Sequence, residues 1–231
     1  MSQLPIPSSR ALRARSQGHY RINEIFFSIQ GEGRLVGTPM VFVRFSDCNL
    51  RCSLQNAGFD CDTEFISGGE LELDAIFEKA SDLNPKRGWL LCTGGEPALQ
   101  LDNLFVERAK MEGWKLAIET NGTIPLPDGF DWICVSPKTA EHTLRQRSAQ
   151  ELKYVRQSGM GIPERSIEAE HYLISHQFKA DGSIRMEDLS WCAELVKAHP
   201  SRWSLSIQTH TLLGIRLVVV IEIGNSFHRT S

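Results

Sequence analysis

Short apolar runs and amphipathic stretches alternate along this chain at a nearly regular interval. RINEIFFSIQ (21–30) reads as an extended lead-in. MVFVRFS (40–46), GWLLCT (88–93), KLAIET (115–120), DWICVSPK (131–138), ELKYVR (151–156), HYLIS (171–175) and WSLSIQTH (203–210) have the length and β-branched or aromatic density of buried strands. Between them, LELDAIFEKASDL (71–83) places Leu73, Ile76, Phe77 and Ala80 at helical spacing. LDNLFVERAKMEG (101–113), closed by Gly113, and MEDLSWCAELVKAH (186–199) are the other predicted helices. A last β-branched run, LVVVIEIG (217–224), precedes a polar tail.

Strands alternating with helices predict an α/β fold of parallel βα units. About six units fit the length, which gives a partial (β/α)6 barrel with an open mouth rather than a full barrel. The polar residues gather just after the strands, at Cys48, Gly94, Glu119, Ser136 and Gln208, where such folds build their sites. Residues 1–20 carry Arg10, Arg13 and Arg15, two prolines and no acid, and read as a disordered tail. The barrel domain is expected over 21–216, and 217–231 is an extension beyond it.

Composition adds exclusions. Hydrophobic residues make up 41% and charged residues 23%, ordinary for a globular protein. A net charge of −3 predicts no general affinity for nucleic acid or anionic membrane. No apolar run reaches the length of a membrane span, and no secretory leader is visible. The expected compartment is a reducing cytoplasm, where thiols can hold a metal cluster.

Three of the six cysteines, Cys48, Cys52 and Cys61, fall within fourteen residues after the run at 40–46. A closed structural zinc site takes four ligands, and a cubane iron–sulfur cluster normally takes four cysteines. Three thiolates would leave one iron open for chemistry. A disulfide, or a zinc site recruiting a histidine such as His19, are the alternatives. Thr93-Gly94-Gly95-Glu96-Pro97 bares backbone at a strand end and adds a carboxylate for a cation. Glu119-Thr120-Asn121-Gly122 offers a carboxylate that can accept two ribose hydroxyls, or a solvated loop. Ser136 and Lys138 could hold a ligand carboxylate. Arg44, inside an apolar strand, needs either a buried acid or a substrate anion. His210 lies at the predicted mouth. Cys92, Cys134 and Cys192 read as small core residues.

Taken in order, NEIFFSIQGEG, the cysteine loop with CDTEF, TGGEP, ETNG, VSPK and SIQTH make the chain similar to radical S-adenosylmethionine enzymes. Within them it resembles the 7-carboxy-7-deazaguanine synthase family, from about Ile22 to Arg216. The resemblance implies that Cys48, Cys52 and Cys61 hold one 4Fe-4S cluster. It implies S-adenosylmethionine contacts at Asp60, Asp62, Gly94, Gly95, Glu96, Glu119, Ser136, Lys138 and Gln177. Ile29, Gln30, Gly31, Arg44, Thr93 and His210 would line the substrate pocket, and Thr63 would ligate a Mg²⁺. The implied reaction cleaves S-adenosylmethionine reductively to a 5′-deoxyadenosyl radical. That radical abstracts hydrogen from 6-carboxy-5,6,7,8-tetrahydropterin, whose ring contracts with loss of ammonia. An external reductant such as flavodoxin and a homodimer come with the family.

Three departures stand out. The usual CxxxCxxC spacing is lengthened here by six residues, to a gap of eight between Cys52 and Cys61. LISHQ (173–177) lacks the family's proline beside the adenine-contacting position, Gln177. Fifteen residues follow Arg216, where relatives often end. Competing readings are another small radical S-adenosylmethionine enzyme, such as an activase of glycyl-radical enzymes, and a structural zinc module.

Overall fold

The computed structural model describes residues 9–16, 18–50, 52, 61, 65–165, 167–177 and 183–214. One nine-stranded sheet organises them. Its strands are β1 (His19–Ile29), β2 (Pro39–Phe45), β3 (Gly69–Glu72), β4 (Trp89–Gly94), β5 (Lys115–Thr120), β6 (Trp132–Val135), β7 (Ser148–Arg156), β8 (Glu168–His176) and β9 (Ser204–Ser206). The spatial order is β3-β1-β2-β4-β5-β6-β7-β8-β9. β1 runs antiparallel to β2 and β3, and every pairing from β2 to β9 is parallel. The sheet is open, so this is a partial barrel of α/β type.

Side-chain alternation builds two layers from these strands. Val41, Val43, Phe45, Leu90, Cys92, Leu116 and Ile118 face helices α2 (Leu73–Leu83) and α3 (Asn103–Met111). Those helices return Ile76, Phe77, Ala80, Phe105, Val106 and Ala109 from one stripe each. Phe77 and Phe105 are fully buried with ring centroids 5.1 Å apart; truncating either to Ala costs about 3–5 kcal/mol. Asp102 starts α3 by accepting a hydrogen bond from Phe105 N at 3.1 Å, and Gly113, at φ +82°, ends it. Helix α4 (Met186–Ala198) brings Cys192 and Leu195 onto a second cluster of Leu152, Tyr154, Ile174 and Trp203. The opposite face of the sheet packs Phe26, Met40, Phe42, Leu91 and Ala117, and Phe26 stacks on Phe42.

Several expectations shift. Residues 9–16, read as part of a disordered tail, form helix α1 (Ser9–Ser16), with Ala11 and Ala14 buried, and β1 begins at His19. The amphipathic run 71–83 starts as strand β3, because Leu71 pairs with Tyr20, and becomes helix only at Leu73. The strand predicted at 131–138 is shorter, and so is that at 203–210. After Ser206 the chain turns into the short helix α5 (Thr209–Leu212), because Thr209 N bonds Gly31 O rather than a neighbouring strand. Helices fill the β3–β4, β4–β5 and β8–β9 connections, while β5–β6, β6–β7 and β7–β8 are joined without an α-helix among the described residues. The run 217–224 lies outside the described residues.

Candidate active site

One face of the sheet carries a polar row at a single level. Glu24 pairs in register with Arg44, and Arg44 with Thr93. Thr93 Oγ1 donates to Glu119 Oε2 at 3.0 Å. Glu119 then aligns with Cys134, Cys134 with Glu151, and Glu151 with His171. The row forms because each strand places a polar residue where its outward-facing neighbours are apolar. Arg44 Nη1 meets Glu24 Oε1 at 2.5 Å, so the half-buried guanidinium has its acid on the adjacent strand.

The loop Gln30–Gly33 leaves β1 at Ile29, opposite Pro39, and crosses this face. Gln30 Nε2 donates to Glu119 Oε1 at 3.1 Å, and Gly31 N to Gln30 Oε1 at 2.8 Å. Thr209 gives both its N–H (2.9 Å) and its hydroxyl (3.0 Å) to Gly31 O. A Cβ on Gly31 would fall 1.9 Å from His210 Nδ1, so only glycine lets that imidazole lie against the loop. Glu32 forms an ion pair with Lys153 of β7. Burial alone would raise the Glu32 carboxyl, but the Lys153 ammonium holds it low, with His210 and Lys138 adding to the effect.

The two glycines of TGGEP serve the chain itself. At φ +113°, Gly94 occupies a conformation that side chains rarely adopt, and a Cβ there would meet Phe45 O at 2.4 Å. A Cβ on Gly95 would meet Asp47 O at 2.1 Å. This close approach lets Gly95 N donate to Phe45 O (3.0 Å) and Glu96 N to Asp47 O (2.9 Å), fastening the stem that leads to Cys48. Glu96 is fully buried. Its carboxylate accepts from Thr120 Oγ1 (2.7 Å), Asn121 N (2.7 Å) and Ala98 N (3.0 Å). Burial pushes its pKa up, and those three donors offset part of the rise. Glu96 therefore joins the β4 loop to the β5 loop, with three of its lone-pair positions engaged internally.

Cys48 is tied in from the other side. Asn121 Nδ2 donates to Asn49 Oδ1 (3.0 Å), and Asn49 Nδ2 to Thr123 Oγ1 (2.8 Å), so the ETNG turn grips the first cysteine's neighbour. All six cysteines are reduced thiols. Cys52 is pushed up to about 11, first by burial and then by the nearby Cys48 and Cys61 thiols, with Lys138 opposing. The three cysteines and Lys138 thus share one neighbourhood. Lys138 Nζ donates to Ser136 Oγ at 2.7 Å, and Ser136 N bonds Thr120 O at 2.8 Å. Gln177 follows β8, its N–H on Arg156 O at 3.1 Å. Asp60, Asp62 and Thr63 lie outside the described residues.

No family model matches the chain. Individual relatives do. The 7-carboxy-7-deazaguanine synthase of Caulobacter vibrioides is 38% identical over 213 residues, covering 85% of this chain and 99% of that protein. The protein of the same name from Bacteroides thetaiotaomicron is 37% identical over 196 residues, covering 85% and 98%. This chain belongs to the 7-carboxy-7-deazaguanine synthase family. A crystal structure of QueE from Escherichia coli has a TM-score of 0.61 and 20% identity, covering 87% of this chain and 99% of that one, which shows a common fold.

As a member of this family the chain is a radical S-adenosylmethionine enzyme that uses a 4Fe-4S cluster. Its thiols fit that group. Among the described residues no three His, Cys, Asp or Glu side chains converge as ligands to one ion. A cubane does not require such convergence, since each thiolate takes a different iron. Cys48 and Cys61 both act on Cys52, with the Lys138 ammonium opposing them, and three thiols are the type of donor set such a cluster takes. Motif reading missed Glu32's partner Lys153, the buried Glu151, and the Asn49–Asn121–Thr123 bridge. Lys153 and Glu151 did carry a signal: charges two apart in a strand whose other face is apolar.

Proposed function

We propose that this chain converts 6-carboxy-5,6,7,8-tetrahydropterin to 7-carboxy-7-deazaguanine with loss of ammonia, as a carbon–nitrogen lyase of 7-deazapurine and queuosine biosynthesis. The observation that carries this reading is 38% identity running over 99% of a curated synthase. The cluster and S-adenosylmethionine, when bound, supply the one-electron cleavage that starts hydrogen abstraction. The chain's own residues bind, orient and shield. Cys48, Cys52 and Cys61 would hold the cluster. Glu119, braced by Gln30 and Thr93, presents a fixed acceptor for ribose hydroxyls. Ser136 and Lys138 would meet the cofactor's polar end, and the Gly94–Glu96 turn its amino group. Arg44, oriented by Glu24, and His210, pressed on Gly31, bound the space for the pterin together with Ile29, Gln30 and Thr93. The Gln30–Gly33 loop screens that space from water.

The same reading assigns a Mg²⁺ to Thr63, an external reductant such as flavodoxin, a homodimeric state and a cytoplasmic location. Among the described residues no helix is long and apolar enough to cross a membrane. The test is anaerobic reconstitution with iron and sulfide, followed by incubation with S-adenosylmethionine, reductant and the carboxypterin. Formation of 7-carboxy-7-deazaguanine is expected. A reconstituted, cluster-loaded protein that makes 5′-deoxyadenosine but leaves the carboxypterin unchanged would overturn the substrate assignment.

A further inference from the structure

The Lys153–Glu32 pair has no part in any motif role or family role described above. Lys153 stands on β7 with 6% of its surface exposed, two residues beyond Glu151 on the same face. A buried ammonium is unfavourable unless paired and hydrogen-bonded. Glu32 provides the pairing, and the field of Lys153 also reaches Glu119 and Cys134. Burial would lower the Lys153 pKa, yet these negative neighbours raise it well above the ordinary lysine value. One carboxylate, Glu32, thus pairs directly with this ammonium, and two more, Glu119 and Glu151, lie within reach of its field.

Glu32 lies in the middle of the crossing loop. Most of that loop's other anchors are backbone groups: Gly31 O to Thr209, Gly33 N to Ser206 Oγ at 3.0 Å, and Arg34 N to Glu151 Oε1 at 2.9 Å. Its two polar side chains, Gln30 and Glu32, both turn inward, one to Glu119 and one to Lys153. Removing the ammonium would strip Glu32 of its counter-charge while Glu119 and Glu151, which also feel Lys153, would lose that compensation too, and uncompensated negative charge in a poorly solvated space is strongly unfavourable. The loop is the element free to move, since the other two carboxylates sit on strands.

We propose that Lys153 is a positioning residue for the substrate: through Glu32 it clamps the Gln30–Gly33 loop across the sheet and so sets Gln30, Gly31 and His210 at the pterin pocket. This rests on the substrate reading above. Cofactor binding is less exposed to the loss, because Glu119 keeps its bond to Thr93 on β4.

The test uses reconstituted enzyme and the variants Lys153→Met, Lys153→Arg, Glu32→Gln and Lys153→Met/Glu32→Gln. Calorimetry measures the Kd of the carboxypterin with unreactive S-adenosylhomocysteine present. Iron content and substrate-free cleavage of S-adenosylmethionine are measured beside it. Lys153→Met and Glu32→Gln are expected to raise the Kd and KM for the pterin by about tenfold or more. Lys153→Arg should recover most of that loss, and iron loading and cofactor cleavage should stay near wild type. The double variant removes both charges and so folds even if a single variant does not; it too should bind the pterin weakly. Wild-type affinity in the single or double variants would overturn the inference while leaving the substrate reading intact. Parallel loss of cofactor cleavage and pterin binding would also overturn it, by showing a general structural role. Wild-type enzyme that itself fails to bind the pterin would remove the substrate reading and this inference together.

Discussion

Gly95→Ala tests how the fold presents its cysteines. The new methyl would lie 2.1 Å from Asp47 O, 2.7 Å from Asp47 C and 3.1 Å from Phe65 Cβ. Two of these are backbone atoms, so no rotamer change relieves the clash. The β4 turn and the stem before Cys48 must separate. That breaks the Gly95 N–Phe45 O and Glu96 N–Asp47 O hydrogen bonds. Each is worth about 0.5–1.5 kcal/mol net, and overpacking adds about 1–3 kcal/mol. The sum is about 2–6 kcal/mol. For a domain of this size each kcal/mol moves Tm by about 2–4 °C, so a fall of roughly 4–24 °C is expected. Differential scanning calorimetry of the cluster-free protein measures it, and iron per chain after reconstitution measures the effect on the thiols. Gly113→Ala is the control: its φ is +82° but nothing lies within 4 Å of the added methyl. It should cost only the left-handed strain of about 1–2 kcal/mol and leave iron loading intact. Unchanged Tm and full iron content in Gly95→Ala would refute the close-approach argument.

Replacing Cys48, Cys52 or Cys61 by Ala should abolish both iron-cluster absorbance and 5′-deoxyadenosine formation. Cys192→Ala should retain activity, because that thiol sits on the buried face of α4, far from the cluster ligands in sequence, and donates only a long 3.6 Å contact to Arg156 O; a dead variant would mean the ligand set is wrong. Thr63→Ala should weaken Mg²⁺ dependence of turnover and spare the cluster, as read by activity against Mg²⁺ and by iron content. Glu32 is held below its ordinary pKa, so its contribution to stability is present above that value and lost as pH falls through the folded one. Lys153 is raised, so its contribution is present below the ordinary lysine value and lost as pH rises through the folded one. The stability difference between wild type and Lys153→Met/Glu32→Gln should therefore shift most in wild type's favour near neutral pH; no change from about pH 3 to about pH 11 would contradict the pairing.

Local pattern carried most of the architecture. Strands 40–46, 88–93 and 115–120 and the three amphipathic helices were readable because burial on a parallel sheet demands continuous apolar runs, and packing on it demands a helical stripe. The places of Cys48 and Ser136, just beyond their strands, and of Thr93 and Glu119, at the last residues of theirs, were readable too, since those runs had to be strands. Chain-distant relations were not. Nothing in the residues around Gly95 names Asp47 as the atom that forbids a side chain. Nothing near Glu32 names Lys153, which lies 121 positions away. The apolar–polar alternation up to Thr209 is strand-like, whereas the hydrogen-bond partner of Thr209 is Gly31 on a remote loop. Periodicity records which way a side chain faces, and that follows from neighbours one to four residues apart. Which charge neutralises which, and which backbone touches which, depends on the register of strands brought together by folding, and that information is spread over the whole chain.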